Sequence, residues 1–293
     1  SFFVGGTNES GLGLAVLYSG THGKGWRSSN DKTDIDDLLV KGSYKLSNNS
    51  SISASLHHFE GKGQMPGGLT TAQYAADPFQ STRSYDQFTG RRTDGSLKYS
   101  YKDGRNNFEV LSYYVDSFRG SYIERDATGA NAGKRSLTAA PRDYSYYGVE
   151  PRYSRIFETG SVVQEVSVGY RYLKEKSSET ALATSGFYVP GQVDAMALPL
   201  NTTQTSQGGT TANAFYIDNR IDVGNWTITP GVRYERIRSF NNVVNYAGGK
   251  ATPFSPTAAA NEWLPTLSVL YRVNSQWSVF ANAGKSFGPQ QYA

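Results

Sequence analysis

Two arginines, Arg119 and Arg142, pair a charge suited to anion capture with positions that bring them together. The stretch Phe108–Arg119 alternates: Phe108, Val110, Tyr114 and Phe118 fall on one side, Glu109 and Arg119 on the other. From Arg142 onward, Tyr147, Val149, Pro151 and Tyr153 take one side, and Arg142, Glu150, Arg152 and Ser154 the other. If both stretches are strands of one wall, the arginines flank a single connecting segment and share its polar side. A guanidinium is a planar fork that grips a carboxylate with two parallel hydrogen bonds, so such a pair suits a polycarboxylate ligand. The competing reading has each arginine paired with a carboxylate of the wall, or simply lining a wet surface; residue pattern alone prefers it.

Other candidates carry less chemistry. Arg91 and Arg92 are sequence neighbours and face opposite sides of any strand, so at most one could join the first pair and a structural ion pair is the expected role. His57 and His58 are opposed in the same way, His22 lies apart, and no histidine–carboxylate spacing resembles a metal site. No nucleophile context marks a Ser–His–Asp triad, and Pro66-Gly67-Gly68 reads as a turn rather than a phosphate loop. No catalytic residue and no metal ligand is therefore assigned. The net charge of +4 is spread without a basic block, which argues against a nucleic-acid partner.

The elements that would position the arginines follow from composition and period. Mean hydropathy is −0.52, and no apolar run approaches the roughly 18 residues a membrane helix needs. Yet 13% of residues are aromatic, 21 of them tyrosine, and only 18% are charged, which disorder would not show. Period-two alternation reconciles these facts. Leu12, Leu14, Val16 and Tyr18 alternate with small residues; Leu38, Val40, Gly42, Tyr44 and Leu46 with Leu39, Lys41, Ser43 and Lys45; Leu97, Tyr99 and Tyr101 with Ser96, Lys98, Ser100 and Lys102. Val166, Val168, Tyr170 and Tyr172 oppose Glu165, Ser167, Gly169 and Arg171, while Trp226, Ile228, Pro230, Val232 and Tyr234 oppose Thr227, Thr229, Gly231, Arg233 and Glu235. The segments 263–273 and 277–283 repeat the scheme.

About twelve strands of roughly ten residues result, near the length a tilted strand needs to cross a bilayer. Short turns, such as Asp103-Gly104-Arg105-Asn106 and Gly224-Asn225, alternate with long segments near 20–34, 60–93, 120–141, 175–211 and 240–261. That layout predicts an all-β fold: a transmembrane antiparallel β-barrel with periplasmic turns and extracellular loops. Trp226, Trp263 and Trp277 fall at strand ends, as interfacial girdles require. The rival reading of the aromatics is core packing in a large soluble sandwich. No charged leader opens the chain, and the ends look ragged, so 1–293 is read as part of a larger barrel.

Specific stretches carry a family resemblance. These are Met65-Pro66-Gly67-Gly68-Leu69, Gln80-Ser81-Thr82-Arg83 with Tyr85-Asp86, Gly90-Arg91-Arg92, Glu150-Pro151-Arg152-Tyr153-Ser154, Val168-Gly169-Tyr170-Arg171-Tyr172-Leu173 and Gly224-Asn225-Trp226-Thr227-Ile228-Thr229-Pro230-Gly231. They resemble the TonB-dependent outer-membrane receptors, in particular their ferric citrate branch, over nearly the whole chain. The resemblance implies a 22-stranded plugged barrel, of which this chain would supply roughly the second to the thirteenth strand, without the plug. It also implies a Gram-negative outer membrane, an iron(III) chelate as cargo, no resident cofactor, and TonB with its inner-membrane motor proteins as partners. Within it, Arg119 and Arg142 match ligand-holding positions, which reverses the preference drawn from pattern alone. One departure stands: the branch supplies a further arginine from the loop corresponding to 177–211, and this sequence has none there. Lys176, just before that loop, is the available substitute; the other reading of it is a solvated strand end. Alternatives are a receptor for a different iron hydroxycarboxylate or siderophore, a passive porin-like channel, and an outer-membrane enzyme.

Overall fold

The computed structural model describes residues 1–288. One antiparallel sheet of fourteen strands carries the architecture: β1 (Phe2–Thr7), β2 (Leu12–Lys24), β3 (Lys32–Lys45), β4 (Ser50–Gln64), β5 (Gln87–Lys102), β6 (Asn106–Asp126), β7 (Arg135–Ala139), β8 (Arg142–Thr159), β9 (Val162–Thr184), β10 (Leu200–Val223), β11 (Trp226–Ala247), β12 (Lys250–Phe254), β13 (Thr257–Arg272) and β14 (Ser278–Gly284). β7 and β12 are short additions, β7 joining β6 and β9 beyond the end of β8 and β12 pairing only with β11. The remaining twelve strands form the wall, each beside its neighbour in sequence. β1 and β14 end the pairing path, so the described sheet is open, a sector of a barrel.

Cross-strand register makes the wall two-faced, because directly paired residues share a side. One row runs Val110–Pro151–Tyr170–Phe215–Tyr234–Trp263. Below it, Phe108, Tyr153, Val168, Ile217, Val232 and Pro265 form the next row of the same face. The opposite face of these strands carries Glu109, Arg152, Ser154, Ser167, Asp218, Arg233 and Thr229. Tyr234 stacks on Trp263 at 4.8 Å near the upper edge, and Trp226 on Tyr271 at 4.5 Å at the lower. The nine residues from Trp226 to Tyr234 span about 26 Å along the strand, or roughly 20 Å upright at a 40° tilt, close to the apolar height of a barrel.

Neither face is sealed by a second layer. Leu12, Leu14, Trp226 and Trp263 are exposed, and Val16, Val168 and Val232 are not buried. A soluble sandwich would bury alternate residues of every strand between two sheets, so the apolar face is the lipid-facing outside and the polar face the lumen. Glycine serves the lumen at one close approach: a Cβ on Gly169 would sit 2.2 Å from the Tyr216 ring, which lies flat across the strand there.

The strands outrun their alternation. Segments expected as long loops are largely strand, since β2 runs to Lys24, β4 to Gln64, β6 to Asp126, β9 to Thr184 and β11 to Ala247. Above the lipid both faces are wet, so the backbone ladder continues while the apolar period has no cause to persist. Outward positions there hold polar groups: Asp36 accepts a 2.5 Å hydrogen bond from the Tyr18 hydroxyl and lies 3.3 Å from His22.

The true loops 65–86 and 185–199 dock onto the far end of β6. Gly67, at φ +85°, turns the chain so that Thr82 and Arg83 N–H groups donate to the Pro66 carbonyl at 2.8 and 3.0 Å. Buried Glu124 accepts from the Ser84 and Tyr85 N–H groups, the Tyr188 hydroxyl and Arg135, while its own N–H donates to Asp86. Leu137, Tyr188 and Ala195 pack beside it. Burial alone would raise the Glu124 carboxyl, but those donors hold it below the usual range. Asp126 is held lower still by Arg83, at 2.8 Å, and by Arg135. Burial, then the hydrogen bond to Glu124, pushes the Tyr188 phenol up.

Candidate ligand site at the lumenal mouth

Arg119 and Arg142 are direct cross-strand partners on β6 and β8. Their row reads Gly90–Arg119–Arg142–Glu179–Ser206 across β5, β6, β8, β9 and β10. It belongs to the same parity as Glu109 and Glu150, the polar lumenal face. The row below reads Arg92–Ser117–Tyr144–Ser177–Gly208–Asn241, and the next Asp94–Val115–Tyr146–Glu175–Thr210. A cavity of about 500 Å³ lies against these rows, lined by Ser117, Tyr144, Tyr146, Glu179, Ser206 and Asn241 among others.

Two guanidiniums directly opposed repel unless an anion joins them. Glu179 supplies half of that compensation, lying 2.7 Å from an Arg142 terminal nitrogen. The Arg142 Nε–H is buried and has no hydrogen-bond partner among the described residues. Arg119 is exposed and has no carboxylate partner among the described residues; its guanidinium sits 5.3 Å above the Phe88 ring, a contact that orients the fork without using its donors. The site thus presents open donors beside a net positive charge.

The remaining sequence candidates separate cleanly. Arg92 faces the lumen and hydrogen-bonds Asp94 at 2.6 Å, as an ion-pair role required, while Arg91 faces outward over Phe118. His57 lies between Asp37 and Asp94 at 2.9 and 3.0 Å on the lumenal face, and His58 turns away to Thr93. Lys176 pairs with Ser145 and Gly209 on the outward parity, so it cannot replace an arginine of the lumen. The strand β9 carries it there: the count from Arg171 alternates without interruption to Glu179. Glu179 was the missed member of the site, and extending that count past Tyr172 would have found it.

The chain belongs to the TonB-dependent receptor family. The family described as "TonB dependent receptor-like, beta-barrel" matches residues 10–293; it is a family of outer-membrane transporters and receptors rather than enzymes. Among solved structures, the chain is similar to the ferric citrate transporter FecA in its unliganded form, at 40% identity and a TM-score of 0.84, covering 99% of this chain and 41% of that one. The ferric-catecholate import receptor Fiu from E. coli K12, in its closed form, shares the fold at 13% identity and a TM-score of 0.77, over 96% of this chain and 47% of its own. The siderophore receptor PiuA from Acinetobacter baumannii does so at 13% identity and 0.74, over 93% and 45%. This chain spans less than half the length of each.

Proposed function

We propose that this chain is part of the wall of a Gram-negative outer-membrane receptor that captures ferric citrate and imports it with energy delivered by TonB and its motor partners. The whole receptor would carry a 22-stranded barrel and a plug that contacts TonB, neither of which lies within the described sector. The observation that carries the reading is the lumenal Arg119–Arg142 pair, with Glu179 engaging only one of the two forks. An anionic iron chelate bearing carboxylates would bridge the guanidiniums, relieve their repulsion and take up the unused donors. The hydroxyls of Tyr144 and Ser177 and the carboxamide of Asn241 lie one row deeper, where the chelate's remaining oxygens would point.

A different iron hydroxycarboxylate is the second reading. It is favoured by the absence of any arginine in 177–211 and by the outward direction of Lys176. Titration of the full-length receptor with ferric citrate separates the two. Replacing Arg119 and Arg142 together by alanine is expected to weaken ferric citrate binding at least about 100-fold, the loss of two charge-assisted contacts. Unchanged affinity would remove the site, and a tighter fit to another hydroxycarboxylate would select the second reading.

A further inference from the structure

We propose that the outer wall around Lys174, Lys176, Arg236 and Arg238 is a binding site for the phosphate of an outer-leaflet glycolipid. It rests on the membrane setting proposed above and is independent of the iron chelate.

Register puts all four cations on the lipid-facing parity. Lys174, Thr211 and Arg238 form one row; Lys176, Gly209 and Phe240 the row above; Tyr172, Asn213 and Arg236 the row below. β9 and β11 lie two strand spacings apart, about 10 Å, a gap that long Lys and Arg side chains close from both sides over β10. Lys176, Arg236 and Arg238 are exposed and Lys174 half-buried. Lumenal arginines on β8, β9 and β11 have acidic partners, Arg142 with Glu179, Arg171 with Glu150 and Arg233 with Glu235. None of the four outward cations has one among the described residues.

The wall is indented at this point. A dent of about 600 Å³ is bordered by Lys174, Lys176, Arg238 and Phe240, with Asp116 and Asp143 at its β6–β8 edge. Gly209 lets the Phe240 ring lie across β10 at its border, because a Cβ there would fall 2.7 Å from that ring.

The vertical order names the occupant. Climbing β9, the outward residues are Val166, Val168, Tyr170, Tyr172, Lys174 and Lys176; climbing β11 they are Ile228, Pro230, Val232, Tyr234, Arg236 and Arg238. Both sequences run apolar, aromatic, basic. Hydrocarbon, the amphipathic interface and anionic headgroups succeed one another at the same heights. A cation cluster directly above the girdle therefore meets lipid phosphates before it meets any dissolved anion.

The test uses full-length receptor in phosphatidylcholine nanodiscs doped with diphosphorylated lipid A or with its dephosphorylated form, with retained lipid counted by native mass spectrometry. The receptor should hold the phosphorylated lipid. A K174A/K176A/R236A/R238A variant should hold it at least tenfold more weakly, and the charge-keeping K174R/K176R/R236K/R238K variant as well as the parent. Equal retention by the neutralised variant, equal retention of the dephosphorylated lipid, or full competition by millimolar inorganic phosphate would each overturn the site. If the fourfold variant fails to fold, the milder K174Q/K176Q variant carries the same comparison. Ferric citrate titration of the same variants keeps the two readings apart: loss of lipid with chelate binding intact supports this site, whereas loss of both through a misfolded barrel sends the test to the milder variant.

Discussion

The lower and upper halves of β11 are one continuous strand in two solvents. From Trp226 to Tyr234 the outward side holds Trp226, Ile228, Pro230, Val232 and Tyr234. From Arg236 upward the same side holds Arg236, Arg238, Phe240 and Asn242, while Ile237 and Val243 appear on the lumenal side. The pairing register with β10 and β13 does not change between the two halves; only the side-chain period does. Alternation is imposed by lipid on one face and water on the other, so it ends where the lipid ends, and the strand goes on.

The largest expected break in that contrast comes from a charge in the lower half. Val232→Arg, at mid-band on the lipid face, should cost about 2–4 kcal/mol of barrel stability, read as loss of the compact form in a heat-modifiability gel. Thr229→Arg, on the lumenal face, should leave that form intact. Equal damage from both would mean that the two faces are not differently solvated.

The upper half should respond at its loop dock instead. Glu124→Gln keeps the shape but loses the charge that four donors address, at a cost of about 2 kcal/mol. Hydrogen exchange should accelerate in 65–86 and 185–199 while the band of β6 stays protected. Global loss of protection would mean that the dock and the band form one cooperative unit.

A smaller effect is expected from pH. The Glu124 and Asp126 carboxyls are depressed in the folded dock, so their stabilisation is full above their unfolded values of about 4 and is lost as pH falls through the lower folded values. Asp86 works in the opposite sense, since burial raises it and acidification relieves that cost. The net expectation is proteolytic nicking of 65–86 that rises only below about pH 4, with the band resistant throughout. Nicking that increases from neutral pH would reverse the assigned directions.

The fold was legible wherever lipid had written the period. The faces assigned to Leu38–Lys45, Glu165–Tyr172 and Trp226–Glu235 agree with the register residue by residue. Strand ends above the membrane were not legible, because β4 and β9 continue through Glu60-Gly61-Lys62 and Lys174-Glu175-Lys176 with no apolar rhythm to mark them. The pairing of Arg119 with Arg142 was legible, since parity and a shared connection suffice to bring them together. Glu179 is reached only by carrying the alternation past Tyr172, through a stretch that composition alone reads as loop. The motifs carrying the family resemblance turned out to serve the scaffold: Pro66, Gly67, Thr82 and Arg83 build the docked loop rather than touch the lumenal pair.

The chain has no cysteine, so every introduced thiol is unique. Spin labels placed singly from position 226 to 246 of β11 in the full-length receptor would report oxygen access, high in lipid, and access to a water-soluble nickel chelate. The two should alternate out of phase with period two from 226 to 234, with even positions in lipid, and both faces should become water-accessible from 236 upward. Even positions closed to both reagents, as in a sealed core, or alternation persisting to 246, would contradict the two-solvent wall.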